Sequence, residues 1–510
     1  MIELDDYREK VLGCWMGKNI GGTLGAPFEW KRQVNDVKFY TQELGGNPLP
    51  NDDIDIQLLW LIALEEKGIN LDARLLGEYW LTYVTPYWAE YGNAKINMKS
   101  GLVPPLSGME NNFFKDSCGA FIRSEIWACI APGCPKIAVR YAYEDAIIDH
   151  GNGEGVFAEV FCTALESSAF IVNDIFELIN IGLSYIPKEC GVARAINNVL
   201  DSYKAGKTWL EARDELLRLY RGSVLCGDYS LISKDDLNKG YADGKMGWDA
   251  PGNIGMMIIG LLYGGGDFEK SICITVNCGE DTDCTAATVG AIFGIMNGID
   301  AIPGKWIEPI GRKVKTVCLN IGELGYFGDQ LPQDIDDLTD RIERIAKQII
   351  WKYDLPVEIL KDKISKDKPV DISGLKEYSL LAGTGDISIY KNLDGPIYRF
   401  DFFDVMLNFI DGPVIKGGGS KKIKMTIENK YKIQEFINIQ WYTNDNWEVR
   451  PYKTGKIYLG RSIWPDCIKS IEFELFTEKV KYKINRFVIE LTIDGRHTVM
   501  LVPVVLLNEY

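Results

Sequence analysis

Apolar residues recur at three- and four-residue spacing from the N-terminus to about residue 350, and this pattern predicts helices. Gly, Pro or Asn interrupts the pattern at most junctions, and clear alternating strands are absent from this part of the chain. The segment Gly155–Phe170 is apolar almost all round, as expected of a helix in the middle of a large bundle. The predicted helices are Tyr7–Lys18, Ile54–Lys67, Leu75–Tyr83, Gly155–Asn173, Thr208–Arg221, Ile254–Leu262, Cys284–Asn297 and Ile335–Tyr353.

The pattern changes after Tyr353. A charged stretch without an apolar face, Lys361–Pro369, is typical of a linker. Short alternating runs separated by turn clusters then predict an antiparallel β-sandwich of immunoglobulin-like type. The predicted domains are 1–353 (all-α), 354–372 (linker) and 373–510 (β-sandwich). The predicted strands are Ile387–Tyr390, Ile397–Phe402, Lys422–Ile427, Phe436–Trp441, Ile457–Leu459, Ile471–Leu475, Arg486–Ile493 and Thr498–Leu506.

The composition of the chain excludes some binding partners and some types of catalytic site. The 510 residues carry 56 Lys and Arg against 72 Asp and Glu, a formal charge of −16. A chain of this charge is a poor generic binder of nucleic acid or of an anionic membrane, so neither is an expected partner. Only two histidines occur, His150 and His497, which excludes a His-rich zinc site and leaves only these two for a Ser-His-Asp hydrolase. Oxygen-ligand metals and carboxylate chemistry are favoured by elimination.

The cysteines and the N-terminus predict a cytoplasmic protein. Twelve cysteines are spread along the chain without a C-x-x-C pair, which favours free thiols in a reducing compartment. The first residues lack the basic-then-apolar pattern of a signal peptide. No stretch approaches about 18 uninterrupted apolar residues, so no membrane span is expected.

Two acidic clusters stand at predicted helix N-termini: Asn51–Asp55 and Gly279–Thr285. One interpretation is helix capping, because Asp and Asn accept hydrogen bonds from the free amides there. Capping needs one side-chain oxygen per helix, however, and each cluster offers three acidic groups. The small, apolar second helix also implies burial, and buried carboxylates that repel one another need a cation. Without His or Cys partners, hard oxygen ligands favour Mg²⁺, Mn²⁺ or Ca²⁺.

A third element is the Gly-rich turn Gly21–Glu29, which follows the helix Tyr7–Lys18. It is either a helix stop with a Gly cap and Pro, or a tight loop that holds Glu29 near the metals.

Together these elements resemble the motifs of the ADP-ribosylglycohydrolase family, which includes the hydrolase that removes ADP-ribose from dinitrogenase reductase. The chain has Gly-x-x-x-Gly-x-Pro-x-Glu at Gly21–Glu29, the pair Asp52-Asp53, and Gly-Glu-Asp-Thr-Asp at Gly279–Asp283. Order and separation agree over residues 1 to about 345, and the predicted sandwich lies outside the resemblance. Supporting matches are Asp116–Arg123, Asp145–Gly155 and Tyr263–Phe268.

The resemblance implies an all-α fold with a site for two Mg²⁺ ions. This chain has Asn51 and Cys284 where the family usually has threonine at the metal motifs, and Gly22 where an aspartate is often found. An Asn amide oxygen can still coordinate, whereas a thiol is a poor Mg²⁺ ligand. The implied metal ligands are Asn51, Asp52, Asp53, Asp281 and Asp283.

The mechanism implied by the resemblance is hydrolysis of an N-glycosidic bond at C1″ of ADP-ribose attached to a protein side chain or a small molecule. The metals hold the ribose hydroxyls, and a carboxylate, Glu29 or Asp283, assists proton transfer. The transition state resembles an oxocarbenium ion, so nearby negative charge stabilises it.

Two of the implied substrate-binding residues each allow two interpretations. Arg123 is either a phosphate contact or a structural ion-pair partner, and His150 is either a substrate contact or a core histidine bonded to Asp149 or Asp145. The full set of implied substrate-binding residues is Ser117, Cys118, Gly119, Arg123, His150 and Asn253, the first three through backbone amides to a diphosphate.

Three alternatives remain at this point. The substrate can be a smaller N-ribosyl metabolite, the protein can be an ADP-ribose-binding protein that has lost turnover, or the acidic pairs can be caps in a structural protein. The β-domain is expected either to cover the mouth of the cleft or to form a homo-oligomer.

Overall fold

The computed structural model describes residues 2–220, 230, 232–241, 249–319, 330–355, 359–360 and 387–509. They divide into two units. The first comprises the described residues up to Gly92 and from Phe113 to Ile389, and the second comprises Asn93–Asn112 and the described residues from Tyr390 onward. The predicted linker, Lys361–Pro369, lies outside the described residues.

The described part of the first unit is almost entirely helical, as predicted. Among the described residues of this unit, the strands are a parallel pair of two residues each, β1 (Ile2–Glu3) and β2 (Ile359–Leu360). Most helices are apolar on the side that faces the unit, and large side chains such as Trp15, Trp60 and Trp127 are fully buried. Its helices are α1 (Leu4–Gly25), α2 (Asp52–Lys67), α3 (Ala73–Tyr83), α4 (Ala89–Ser100, which continues into the second unit), α6 (Ser124–Ile130), α7 (Pro135–Ala146), α8 (Glu154–Ala169), α9 (Ile175–Ser184), α10 (Gly191–Lys204), α11 (Trp209–Tyr220), α12 (Lys234–Asn238), α13 (Ala250–Gly264), α14 (Phe268–Asn277), α15 (Thr282–Asn297), α16 (Gly304–Ile307) and α17 (Ile335–Tyr353).

Helices α1 and α15 pack backbone against backbone. α1 carries a glycine at every fourth residue along one line, and α15 presents small residues to the same line. A Cβ atom on any of these glycines would overlap a backbone carbonyl of α15. The contact therefore brings the C-terminal end of α1 to the N-terminal end of α15. The glycines are Gly13, Gly17, Gly21 and Gly25, which face Gly294, Gly290, Ala286 and Thr282 respectively.

The second unit is a β-sandwich of two five-stranded sheets. One sheet has the strand order β3-β4-β6-β10-β8 and is antiparallel throughout. The other has the order β5-β12-β11-β7-β9 and is antiparallel except where β5 pairs with β12 in parallel. The strands are β3 (Ile397–Arg399), β4 (Phe403–Phe409), β5 (Val414–Lys416), β6 (Gly419–Asn429), β7 (Glu435–Tyr442), β8 (Glu448–Arg450), β9 (Thr454–Leu459), β10 (Ile468–Thr477), β11 (Ile484–Ile493) and β12 (Val499–Glu509).

A segment from the N-terminal half of the chain belongs to this second unit. Residues 93–112, with the short helix α5 (Leu106–Met109), contribute Leu102 and Leu106 to the buried core between the two sheets. Arg486 on β11 donates a hydrogen bond to the carbonyl of Ser100 at 3.4 Å. The sandwich core therefore contains residues that are nearly 300 positions away from its strands, since Leu106 and Phe403 share one cluster.

The fold class is as predicted, a helical region followed by an antiparallel β-sandwich, but one predicted strand is wrong. Ile387–Asn392 forms a 3₁₀ helix instead of a strand beginning at Ile387. Four residues of alternating polarity are too few to distinguish the two conformations. Among the described helices, none combines the length and apolar character that crossing a bilayer requires.

Candidate metal centre

The two acidic clusters meet at the N-termini of α2 and α15. At α2 the cap is Asn51, whose Oδ1 accepts the amide of Asp53 at 2.9 Å. At α15 the N-cap residue is Asp281, and its side chain makes no capping hydrogen bond. Asn51 therefore caps α2, and the carboxylate of Asp281 does not cap α15. The capping interpretation does not account for the aspartates.

Besides Asp55, which belongs to none of the candidate metal groups, three of these carboxylates keep an unpartnered oxygen in the interior. Asp53 Oδ2, Asp281 Oδ1 and Asp283 Oδ1 have no hydrogen-bond partner among the described residues. The three side chains are only 1%, 4% and 6% exposed respectively. Burying an unpaired charged oxygen costs several kcal/mol, so such groups in a folded protein hold a cation or a proton. Three of them side by side fit a divalent cation site.

The oxygens are close enough to share a cation. One oxygen each of Glu29, Asp281 and Asp283 lie within 4.8 Å of one another. Asp53, Asp283 and Cys284 form a second group of the same span. Asp283 belongs to both groups, and Asp281 is shared in the same way with a third group that contains Cys118 and Cys284.

Burial and mutual repulsion raise the pKa values of these acids. Burial, followed by the negative charges of Asp281, Asp52 and Asp53, raises the pKa of Glu29 to about 8. The pKa values of Asp53 and Asp283 lie well above the ordinary aspartate value, also chiefly through burial. A divalent cation bound here would reverse this effect, because it stabilises the charged form.

The remaining acids of the two clusters have other partners. Asp55 Oδ2 accepts the backbone amides of Val317 and Cys318 at 2.7 and 2.6 Å. Glu280 forms a buried ion pair with Arg32, with 2.9 Å between Nε and Oε2. These two carboxylates hold loops in place, and neither belongs to a candidate metal group.

The last predicted metal ligand, Asp52, lies at the first position of α2. Its Oδ2 accepts a hydrogen bond from the hydroxyl of Tyr91 at 3.0 Å. The sequence analysis did not single out Tyr91, and no motif around it marks it as part of the site.

Two asparagines and a glycine complete the surroundings of the carboxylates. Asn51 Nδ2 donates to Asp283 Oδ2 at 3.3 Å, and Asn253 Oδ1 accepts the amide of Asp281 at 3.3 Å. A Cβ atom at Gly22 would come within 2.7 Å of Asn51 Nδ2. The position where the family often has an aspartate is thus filled here by the Asn51 side chain.

The loop Ser117–Gly119 lies beside the carboxylates. Cys118 Sγ donates to Asp281 Oδ2 at 2.7 Å. The carbonyl of Gly119 accepts a hydrogen bond from Arg123 Nη1 at 2.8 Å, and a Cβ on Gly119 would overlap Glu90. The amide of Ser117 donates to the carbonyl of Phe114 at 2.9 Å, so it is already engaged.

Arg123 is fully buried in an acidic network. Its Nη2 lies 2.9 Å from both Asp145 Oδ1 and Asp149 Oδ1, and Nη1 donates to Asp149 Oδ2 at 3.0 Å. Trp127 donates to the other oxygen of Asp145 at 3.0 Å. Of the two interpretations of Arg123, these contacts favour the structural ion pair.

Ser117, His150 and Asp149 form a hydrogen-bonded row. Ser117 Oγ lies 3.1 Å from His150 Nε2, and His150 Nδ1 lies 2.8 Å from Asp149 Oδ1. The residue types and order are those of a nucleophilic triad. All three side chains are 1% exposed or less, however, and Asp149 is bound through both oxygens to Arg123. The contacts favour the core interpretation of His150.

Likeness to solved structures is weak. A FixG-related protein from Vibrio parahaemolyticus gives a TM-score of 0.18 at 11% identity, over 22% of this chain and all of that one. The GAE domain of GGA2p from Saccharomyces cerevisiae gives 0.17 at 9% identity, over 22% of this chain and 99% of that one. These scores are too low to support a structural conclusion.

Sequence comparison gives a clearer result. An uncharacterized protein of Archaeoglobus fulgidus is 24% identical over 317 residues, which is 59% of this chain and 91% of that protein. The family model described as ADP-ribosylglycohydrolase matches residues 3–348, which include every candidate metal ligand named above. The resemblance seen in the motifs is confirmed, and the chain belongs to the ADP-ribosylglycohydrolase family.

Proposed function

We propose that this protein is a dimetal-dependent hydrolase that cleaves the N-glycosidic bond at C1″ of ADP-ribose attached to a protein side chain or a small molecule. The observation that carries the proposal is the set of three buried, unpartnered carboxylate oxygens on Asp53, Asp281 and Asp283. They stand at the helix ends where the family's metal motifs fall. A scaffold without a ligand has no physical reason to keep these charges buried together.

The ions themselves would be held by the carboxylates. Asp53, Asp281 and Asp283 would supply oxygens to Mg²⁺, with Mn²⁺ or Ca²⁺ as alternatives, and Asp52 and Asn51 would complete the set of proposed ligands. Bound divalent ions would supply positive charge that orients the ribose hydroxyls and polarises the attacking water.

Glu29 is the proposed proton-transfer group. It follows the tight 3₁₀ turn Ala26–Phe28 at the end of α1 and shares a span of 4.8 Å with Asp281 and Asp283. Burial and its acidic neighbours raise the pKa of Glu29 to about 8 in the metal-free protein, and bound divalent cations would lower it again. A carboxyl at this place beside the metal carboxylates suits acid–base catalysis of glycoside hydrolysis.

The loop Ser117–Gly119 is the proposed diphosphate contact. Because the amide of Ser117 already donates to Phe114, the amides of Cys118 and Gly119 are the proposed donors. Arg123 and His150 then act indirectly. Arg123 holds the carbonyl of Gly119 and His150 holds the hydroxyl of Ser117, so both fix the loop in position.

Release of ADP-ribose from a peptide carrying ADP-ribosylated arginine, followed by chromatography, tests the proposal. The wild-type protein is expected to release free ADP-ribose with Mg²⁺ or Mn²⁺ and to stop when a chelator is added. Asp281→Ala/Asp283→Ala should be inactive, while the exposed Asp36→Ala should retain wild-type activity. Cleavage of nicotinamide riboside but of no ADP-ribosylated peptide would support the smaller substrate instead. No cleavage of either would contradict the proposal.

A further inference from the structure

Two cysteine thiols lie within the same cluster as the metal carboxylates. Cys118 Sγ is 2.7 Å from Asp281 Oδ2, and Cys284 Sγ is 3.3 Å from Asp53 Oδ1. Both sulfur atoms and an oxygen of Asp281 lie within 4.8 Å of one another. The two cysteines come from different places, since Cys118 is on the loop before α6 and Cys284 is in the first turn of α15.

This group has the size of a single metal coordination sphere. Zn–S bonds are about 2.3 Å and Zn–O bonds about 2.0–2.2 Å, so two ligands of one ion lie at most about 4.6 Å apart. A buried oxygen without a partner on one member of the group is a second observation in favour of a ligand. Asp281 Oδ1 is unpartnered, and the side chain is 4% exposed. Small adjustments of the side chains would close the group around an ion.

The donor set does not suit Mg²⁺. Mg²⁺ prefers hard oxygen ligands in octahedral geometry, whereas cysteine sulfur selects thiophilic ions such as Zn²⁺. Two sulfurs and one carboxylate leave a fourth tetrahedral position open, which is the arrangement of a catalytic rather than a structural zinc site. Cys284 is only partly buried, which leaves room for a ligand from solvent.

We infer that Cys118, Asp281 and Cys284 bind a thiophilic divalent cation of the Zn²⁺ class, so that the centre pairs a sulfur-containing position with an all-oxygen position. The second position uses the carboxylates of Asp281 and Asp283, and Glu29 lies beside them as the proposed proton-transfer group. Asp281 is shared by the two positions. The inference deepens the proposed function and rests on it for the role of the carboxylates.

Titration of the full-length, reduced, metal-free protein with Co²⁺ tests the inference by absorption spectroscopy. Sulfur bound to Co²⁺ gives a near-ultraviolet charge-transfer band that oxygen ligands do not give. The wild type is expected to show the band, equimolar Zn²⁺ to remove it, and a large excess of Mg²⁺ to leave it in place. In Cys118→Ser and Cys284→Thr the band should weaken, in the double variant it should be lost, and in each single variant Zn²⁺ affinity should fall by at least about 100-fold, beyond the loss typical of residues behind a ligand.

The matched control is Cys273→Ser, a buried cysteine of α14 that belongs to none of the candidate metal groups. It should keep both the band and the affinity. Circular dichroism of each variant shows whether it has folded, and Cys118→Ala is the second variant if Cys118→Ser has not.

The outcomes separate the two proposals. Co²⁺ binding without the band, or a band of unchanged intensity in both site variants, would overturn the sulfur-containing position. If Mg²⁺-dependent release of ADP-ribose persists in that case, the proposed function stands alone. If no divalent ion binds and no ADP-ribose is released, both proposals fail.

Discussion

Asp53 and Asp55 are two residues apart on α2, yet their carboxylates lie among different neighbours. Asp55 accepts two backbone amides through one oxygen, whereas Asp53 lies in a group with Asp283 and Cys284. The same division occurs at α15, where Glu280 pairs with Arg32 and Asp281 lies beside Asp283. Among single residues, the site consists of the acids whose oxygens lie within 4.8 Å of one another.

The first prediction compares the metal-site acid with the buried serine row. Asp281→Asn is expected to lower kcat/KM for ADP-ribosyl-arginine by at least about 100-fold, because it removes charge from the reacting centre. Ser117→Ala should lower it by less than about tenfold, since its hydroxyl only supports the loop. A loss of about 10⁴-fold or more in Ser117→Ala would instead identify a nucleophilic triad. Steady-state kinetics of both variants distinguishes the two mechanisms.

The second prediction concerns the buried pair of Asp149 and Arg123. Asp149→Asn is expected to lower the free energy of unfolding at pH 7 by about 3–5 kcal/mol, because Arg123 loses a buried counter-charge. The exposed Asp36→Asn should change it by less than about 0.5 kcal/mol. Denaturant unfolding of both variants against wild type provides the measurement.

This effect has a defined pH dependence. Although burial raises it, Arg123 and His150 lower the pKa of Asp149 to about 2, from 3.8 in a model peptide. A depressed folded pKa stabilises the fold above the unfolded value and loses that effect as the pH falls. The difference between wild type and Asp149→Asn should therefore be constant above about pH 5 and shrink between about pH 4 and pH 2. A difference that grows on acidification would contradict the assignment.

Sequence reasoning identified the two acidic clusters and Glu29 but could not sort their members. The partners of Asp55 and Glu280 are more than 200 residues away in the chain, at Cys318 and Arg32. No local pattern encodes such pairs. Asn51 shows the opposite case, because its capping role follows from its position directly before α2.

Helices α1 and α15 set the geometry of the site at the scale of elements. Their backbone contact leaves no room for side chains on the facing residues of α1. Helix α1 ends at Gly25, which packs against Thr282 of α15. The 3₁₀ turn Ala26–Phe28 follows, and Glu29 comes directly after it. The close packing of two helices therefore places the proposed acid beside Asp281 and Asp283.

The third prediction tests this packing. Gly21→Ala should lower the free energy of unfolding by about 1–3 kcal/mol or more, because its Cβ would overlap the backbone of Ala286. It should also weaken divalent cation binding, since α1 and α15 must move apart. Gly304→Ala is the matched control, with only the flexible end of Glu308 near its Cβ. Equal stability of Gly21→Ala and wild type would contradict the packing.

Elements with a long repeating pattern were predicted well, and short ones were not. The helices Ile54–Lys67 and Ile335–Tyr353 were predicted from three to five turns of periodic apolar residues, and the structure places α2 and α17 there. Strand β4 was missed, although its residues alternate regularly between buried and partly buried. The predicted strand ended at Phe402, and β4 begins at the next residue, Phe403. Because both residues are apolar, the sequence pattern does not show where one strand ends and the next begins.

At the scale of the whole molecule, the described units do not follow the order of the sequence. Residues 93–112 come from the helical half but belong to the sandwich unit, where Leu102 and Leu106 are 1% and 3% exposed. The predicted domain of residues 1–353 treated this segment as part of the helical region. Sequence reasoning could not place it, because its apolar residues show only that they are buried and not against which unit.

The fourth prediction follows from this insertion. Leu106→Ala should destabilise the sandwich by about 2–5 kcal/mol, the usual cost of removing a buried leucine side chain. Hydrogen exchange of the folded protein should then speed up in peptides from β6 and β11 and stay unchanged in peptides from α1 and α15. Ile96→Ala, at an exposed position of α4, is the control and should change neither. Faster exchange confined to α1 and α15 would contradict the division into units.

The central claim is that the carboxylates of α2 and α15 form a divalent cation site that binds ADP-ribose. Calorimetric titration of the metal-free protein with ADP-ribose, with and without Mg²⁺, tests it most directly. Wild type is expected to bind ADP-ribose only when Mg²⁺ is present, and Asp281→Ala/Asp283→Ala to bind in neither condition. ADP-ribose binding that is the same with and without Mg²⁺, or that survives in the double variant, would contradict the account.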